Sequence, residues 1–312
     1  MEILLNKVVA IVKGCFTPSL KSAVWILRLM IPISLGVVLL QYLGVIDFIS
    51  HYTSPLFKLV GLPGEAALVY ITAALVNIYS AIAVMSTFTF DDRAITILAI
   101  SSLIAHNLIV ETAVQRKTGS SAMAMVATRL GLSILSLVVM NFLVPAATLS
   151  VVTSSSTGPN VGLTDVLYSW LESSILLSIK VVVLVFVLNL LQQVMRQLGI
   201  IEVLSKVLRP LLAIFGLPSR TSFLWIVANT LGLAYGSAVM ISEVEAGNIS
   251  KEEADLLNYH VAVSHSNLED LLLFAAIGAS VFWMLSIRLA FAALIVWIVR
   301  FSLYRNHKFV TA

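Results

Sequence analysis

LGVIDFISHYTSPLFKLVGLP occupies Leu43 to Pro63, and LGIIEVLSKVLRPLLAIFGLP occupies Leu198 to Pro218, 155 residues further on. The two align without a gap, with 9 of 21 positions identical and others conservative, such as Asp47 with Glu202. Self-similarity at a fixed spacing marks a structural unit used more than once. The same offset carries Ala83-Val84-Met85 onto Ala238-Val239-Met240. Four extra residues then enter the second copy within the acidic stretch Glu243 to Glu253, and the offset becomes 159. At that spacing His106 matches His265, Glu111 matches Asp270, Gly119 matches Gly278, and Arg129-Leu130 matches Arg288-Leu289.

The solvent for this duplicated unit is lipid. Of 312 residues, 59% are hydrophobic and 11% charged, and the mean hydropathy is +1.01. Soluble domains run near one quarter charged, so a water-facing surface could not be covered. A spanning helix needs roughly 20 mostly apolar residues. Each copy offers four such segments, near 20–44, 64–87, 93–115 and 120–146, then near 168–195, 219–242, 253–275 and 277–302. The chain thus divides into a first repeat over 1–150, a linker over 151–165 rich in Ser and Thr, and a second repeat over 166–312. Residues 1–12, with Lys7 among Val8, Val9 and Ile11, read as an amphipathic helix on the membrane surface.

Charge asymmetry sets an orientation, because cytoplasmic loops carry excess Lys and Arg. The N-terminal flank has Lys7, Lys13 and Lys21, and the C-terminus has Arg300, Arg305 and Lys308, whereas residues 148–165 have none. Both termini are therefore expected in the cytoplasm, at the cytoplasmic (inner) membrane, with the linker outside. Each half then crosses an odd number of times, and the two halves are inverted. Arg116-Lys117 of the first half matches Ala275-Ala276 of the second, the opposite bias that inversion requires. Four segments with an odd number of crossings leave segments two and three crossing only once between them. One of them is expected to be re-entrant or broken. The predicted fold is an all-α integral membrane protein of two inverted-topology repeats. Such plans place the solute site at mid-membrane between the repeats.

The third segments hold the chemistry. His106, Asn107 and Glu111 lie in the first, and His265, Ser266, Asn267, Glu269 and Asp270 in the second. On continuous helices Asn107 and Glu111, His265 and Glu269, and Ser266 and Asp270 are i,i+4 neighbours. Ionisable groups inside a membrane are costly and mark a pathway or a pair. Arg129 and Arg288 in the fourth segments are the expected charge partners of Glu111 and Asp270. Asn77, Asn229 and Ser237 in the second segments are further candidates for solute contact, while Gly232 and Gly236 have the spacing of close helix packing. One cysteine, Cys15, excludes a disulfide framework or a cysteine metal cluster. There is no HExxH, and adjacent Ser264 and His265 cannot form a nucleophile–base pair, so no enzyme and no cofactor are expected. Nothing points to nucleic acid. The partners are the bilayer and a small solute or ion, with room left for a homo-oligomer.

At these residues the sequence resembles the nucleoside-recognition (Gate) domain family. The resemblance is carried by Gly61-Leu62-Pro63, Gly216-Leu217-Pro218, His106-Asn107 running to Glu111, and Ser264-His265-Ser266-Asn267-Leu268-Glu269-Asp270. That family includes the spore maturation membrane proteins A and B, and touches the concentrative nucleoside transporters and the membrane part of ferrous iron transporter B. The resemblance implies a membrane transporter for a nucleoside-like solute, with a divalent-cation or proton-coupled permease and a non-transporting scaffold as alternatives.

Overall fold

The computed structural model describes the backbone of residues 2–144 and 162–305, and the side chains of these except 2–13, 234 and 303–305. The lysines of the expected surface helix, residues 145–161 of the linker region and the last seven residues lie outside that description. Among the described residues the chain is helical throughout, with no strand. The first copy contains α1 (Glu2–Tyr42), α2 (Val45–Lys58), α3 (Ala66–Leu75), α4 (Ile78–Met85), α5 (Asp92–Ala105), α6 (Leu108–Lys117) and α7 (Ala122–Leu143). The second contains α8 (Leu163–Gln197), α9 (Ile200–Val207), α10 (Arg209–Ile214), α11 (Ser222–Leu231), α12 (Leu233–Glu245), α13 (Lys251–Val263), α14 (Asn267–Ala275) and α15 (Val281–Arg305).

The helix starts follow the sequence offsets. Val45, Ile78, Asp92, Leu108 and Ala122 open helices in the first copy, and Ile200, Leu233, Lys251, Asn267 and Val281 open their counterparts. Backbone exceptions recur in the same register. Gly61 and Gly216 have φ of 67° and 75°, Gly119 and Gly278 both 106°, and the two non-glycine residues at positive φ among the described residues, Asn107 and Ser266, 49° and 50°. At the G-L-P turns glycine is required twice over. A side chain there would be strained, and a Cβ would run into Asn141 Oδ1 on Gly61 and meet Trp297 at 3.1 Å on Gly216.

Five described helices are long and apolar enough to cross a membrane: Gly14–Tyr42, Asp92–Lys117, Ala122–Leu143, Leu163–Gln197 and Val281–Ser302. The first span continues without interruption from the N-terminal helix, and α8 takes in Leu163 to Asp165 from the expected linker. α1 and α8 pack along each other antiparallel: Cys15 faces the Asn189 carbonyl, and Ser34 accepts from Trp170 Nε1 at 3.2 Å. Both show large apolar side chains outward, including Phe16, Trp25, Tyr168 and Ile175. Inside them, α5 is buried from Thr96 to Ala105 without a break, and α13 is buried over most of its length. A helix apolar on all sides belongs in the interior, as α5 does, and α13 is buried with it despite its polar residues, so the two form the centre.

The expectation of one interrupted segment per half is corrected: both are interrupted, in both halves. The second segments break at Asn77 and at Gly232, the third at His106-Asn107 and at Ser264 to Ser266. The two breaks differ in kind. A Cβ on Gly236 would stand 3.0 Å from Cα of Ala228, although eight helical residues span about 12 Å. α11 and α12 therefore fold back on each other as a hairpin, and α3 packs on α4 in the matching place. α5 and α6 instead continue across the break at Asn107 as one 26-residue span.

Candidate functional site

Broken helices free backbone groups, and in lipid every such group needs a partner. The two kinds of break satisfy each other. Asn107 N–H donates to the Ala73 carbonyl at 2.9 Å, and Ser266 N–H to the Ala228 carbonyl at 3.0 Å, so each third segment is stitched at its break to the hairpin of its own half. The carbonyls at the ends of α5 and α13 are taken by the arginines. Arg129 Nε bonds Ile104 O at 2.9 Å and its Nη2 bonds His106 O at 2.5 Å. Arg288 Nε bonds Val263 O at 3.1 Å and its Nη2 bonds His265 O at 2.7 Å. A planar guanidinium presents a rigid fork of donors, which suits two carbonyls at an unwound turn.

The same breaks bring the two halves together. The rings of His106 and His265 lie 5.1 Å apart and 36° from parallel. Glu111 sits between them, with Oε1 at 3.0 Å from His106 Nε2 and 3.3 Å from His265 Nε2. Its other oxygen, Oε2, is 2.8 Å from Arg129 Nη2. Asp270 stands further from its arginine, with Oδ2 3.6 Å from Arg288 Nη2, because an aspartate is one methylene shorter. One ligand atom each of His106, His265 and Asp270 lies within 4.8 Å of the other two, and all three residues are buried.

Hydrogen-bond directions fix the histidine tautomers. Nδ1 of His106 is 2.9 Å from Leu103 O, and Nδ1 of His265 is 2.6 Å from Val261 O. A carbonyl only accepts, so each Nδ1 carries the hydrogen, and a neutral ring then has a lone pair at Nε2. Both lone pairs face one carboxylate oxygen, itself an acceptor. Acceptors converging at these distances repel unless a proton or a cation lies among them. The site is built for positive charge.

The remaining sequence candidates scatter. Asn107 and Ser266 supply the left-handed turns at the breaks, so the i,i+4 pairs expected on continuous helices do not form as such. Glu269 leaves His265 and accepts from Tyr79 Oη across the half boundary. Asn267 Nδ2 donates to Asn229 Oδ1 at 2.6 Å and to Ser264 Oγ at 2.9 Å, joining hairpin tip to break. Asn77 caps α4 through Ser80 N–H at 2.9 Å. Ser237 is buried on α12 with no hydrogen-bond partner for its hydroxyl. His260 is a core histidine, accepting from Trp225 Nε1 at 3.2 Å and stacking near Phe215. Sequence reasoning passed over Tyr79, because a lone tyrosine in an apolar stretch carries no signal until the fold sets it against Glu269.

Two cavities open along the α1–α8 pair. One of about 390 Å³ is lined by Lys21, Ser22, Trp25, Tyr79, Asn189 and Glu269. The other, of about 380 Å³, is rich in hydroxyls from Ser34, Ser86, Thr87, Ser169 and Ser173, with Trp170 and Asp165 at its wall.

These features define a helical integral membrane protein with a buried ionisable centre where broken helices meet. The chain belongs to the family of the uncharacterized membrane protein YvoD of Bacillus subtilis, with 31% identity over 272 residues that cover 86% of this chain and 87% of that one. No protein-family model matches the chain, and no solved structure matches it.

Proposed function

We propose that the protein is a membrane transporter for a small polar solute or ion, with its site between two inverted repeats at His106, Glu111, His265 and Asp270. The observation that carries the reading is the convergence of both Nε2 lone pairs and a carboxylate oxygen at the meeting point of the breaks. A site that needs positive charge among its acceptors favours a cation, proton or metal, over a neutral solute. Inversion is supported by the antiparallel packing of α1 against its sequence counterpart α8. We read three spans and a re-entrant hairpin in each half, taking α13–α14 as the sixth span beside the five helices long and apolar enough by themselves, and the Lys and Arg bias of the two ends favours both termini on the cytoplasmic side of the inner membrane.

A second reading rests on the hydroxyl-lined cleft. Its volume falls within the roughly 300–1,000 Å³ of small-molecule sites, and Trp170 with several hydroxyls suits a nucleoside-like solute, as the Gate-domain motifs imply.

The test is flux in proteoliposomes. Proton flux, divalent-cation flux and uptake of labelled nucleosides are measured for wild type and Glu111→Gln. Cation flux lost in the variant supports the proposal, nucleoside uptake unaffected by the variant supports the second reading, and no flux of any kind leaves a non-transporting scaffold.

A further inference from the structure

The distances from Glu111 to the two histidines are those of a particular kind of cation site. In a tetrahedral site with bonds of 2.0–2.1 Å, neighbouring ligand atoms are about 3.3 Å apart. Glu111 Oε1 stands 3.0 Å and 3.3 Å from the two histidine Nε2 atoms. Asp270 offers a third residue type within 4.8 Å of the same imidazole pair. Metal-binding histidines almost always donate their other ring N–H to a carbonyl or carboxylate, which orients the lone pair, and both histidines here do so. Two buried atoms in this group face a charged neighbour without making a hydrogen bond: Nε2 of His265, 3.3 Å from Glu111 Oε1, and Oδ2 of Asp270, 3.6 Å from Arg288 Nη2, in residues 1% and 2% exposed. Buried polar atoms are seldom left so. Arg129 leaves Oε1 of Glu111 free, since it takes Oε2, and Arg288 stands 3.6 Å from Oδ2 of Asp270.

We propose that this centre binds a divalent transition-metal ion through Nε2 of His106, Nε2 of His265, Oε1 of Glu111 and a carboxylate oxygen of Asp270. The proposal rests on the transport reading and names its substrate class. Mixed imidazole and carboxylate ligands without thiolate suit zinc, manganese, ferrous iron and cobalt, whereas magnesium and calcium prefer all-oxygen sites.

The experiment uses the full chain in lipid nanodiscs, with Co²⁺ and Zn²⁺ as probes and Mg²⁺ as the control. Wild type is expected to show the ligand-field bands of four-coordinate Co²⁺, and a melting temperature raised by Co²⁺ and Zn²⁺ but not by Mg²⁺, since a ligand of the folded state raises it. His265→Gln and Asp270→Asn are expected to weaken Co²⁺ binding at least about 100-fold, the upper end of what losing an outer-shell partner costs. Each variant is first melted without metal, and only one that melts cooperatively is scored. Wild type with neither bands nor a shift overturns the metal site, as does an unchanged affinity in both variants. The proteoliposome assay on the same preparation keeps the two ideas apart: proton flux lost in Glu111→Gln with no metal binding sinks the metal assignment and leaves transport standing.

Discussion

Arg129→Met separates a structural arginine from a merely compensating one. Arg129 is wholly buried and reaches three acceptors: Ile104 O at 2.9 Å, His106 O at 2.5 Å and Glu111 Oε2 at 2.8 Å. Methionine fills much of the volume but donates nothing. Two carbonyls are left dry at about 1–3 kcal/mol each, and a buried carboxylate loses its partner at about 3–5 kcal/mol. The low end applies if the two histidines protonate and hold Glu111, so the expected loss is about 5 kcal/mol or more. That approaches the whole stability of about 5–15 kcal/mol of many proteins. Arg288→Met is expected to cost less, because the Asp270 contact is already 3.6 Å. The assay is fluorescence-detected size exclusion followed by a melting curve in detergent. Arg129→Met should aggregate or melt about 10 °C or more below wild type, at about 2 °C per kcal/mol for a chain of this size. Arg288→Met should melt in between. A monodisperse Arg129→Met within about 2 °C of wild type would refute the claim that this arginine closes the broken turn.

Gly236→Ala pushes a methyl to 3.0 Å from Cα and Cβ of Ala228 in the facing arm of the hairpin. It should cost about 1–3 kcal/mol of overpacking, read as a lower melting temperature. Gly232 holds φ 88° and ψ 166°, a region open essentially to glycine, so Gly232→Ala is expected to destabilise although nothing lies closer to its Cβ than Ser266 Oγ at 3.4 Å. Ser266 has φ 50°. Ser266→Gly should melt at or above wild type, and Ser266→Val well below it, because a β-branched residue is an outlier there.

The repeat, its change of offset and its four segments per copy were legible in sequence, because gap-free identity and long apolar runs are local facts. The candidate ionisable residues were legible for the same reason: lipid makes Glu111, Asp270, Arg129 and Arg288 conspicuous anywhere in a span. The breaks were half legible. Charge counting called for one interrupted segment in each half, and the structure has two, because a break in one segment is satisfied by a break in its neighbour, as Asn107 with Ala73 and Ser266 with Ala228 show. Ser266 in a left-handed turn gave no warning, whereas Asn107 is of a type that tolerates that turn but stands in a run that reads as continuous helix.

Sequence by itself determined the solvent, the duplication and the list of charged residues, all set by composition and periodicity along the chain. Tertiary structure alone decided which of those residues meet. Glu111 turns to both histidines while its counterpart Asp270 hangs back, and Glu269 goes to Tyr79 of the other half instead of its own neighbour His265. The physical reason is that the unwound turns redirect side chains away from helical spacing, and the packing of one half on the other, which no local pattern encodes, chooses what they face.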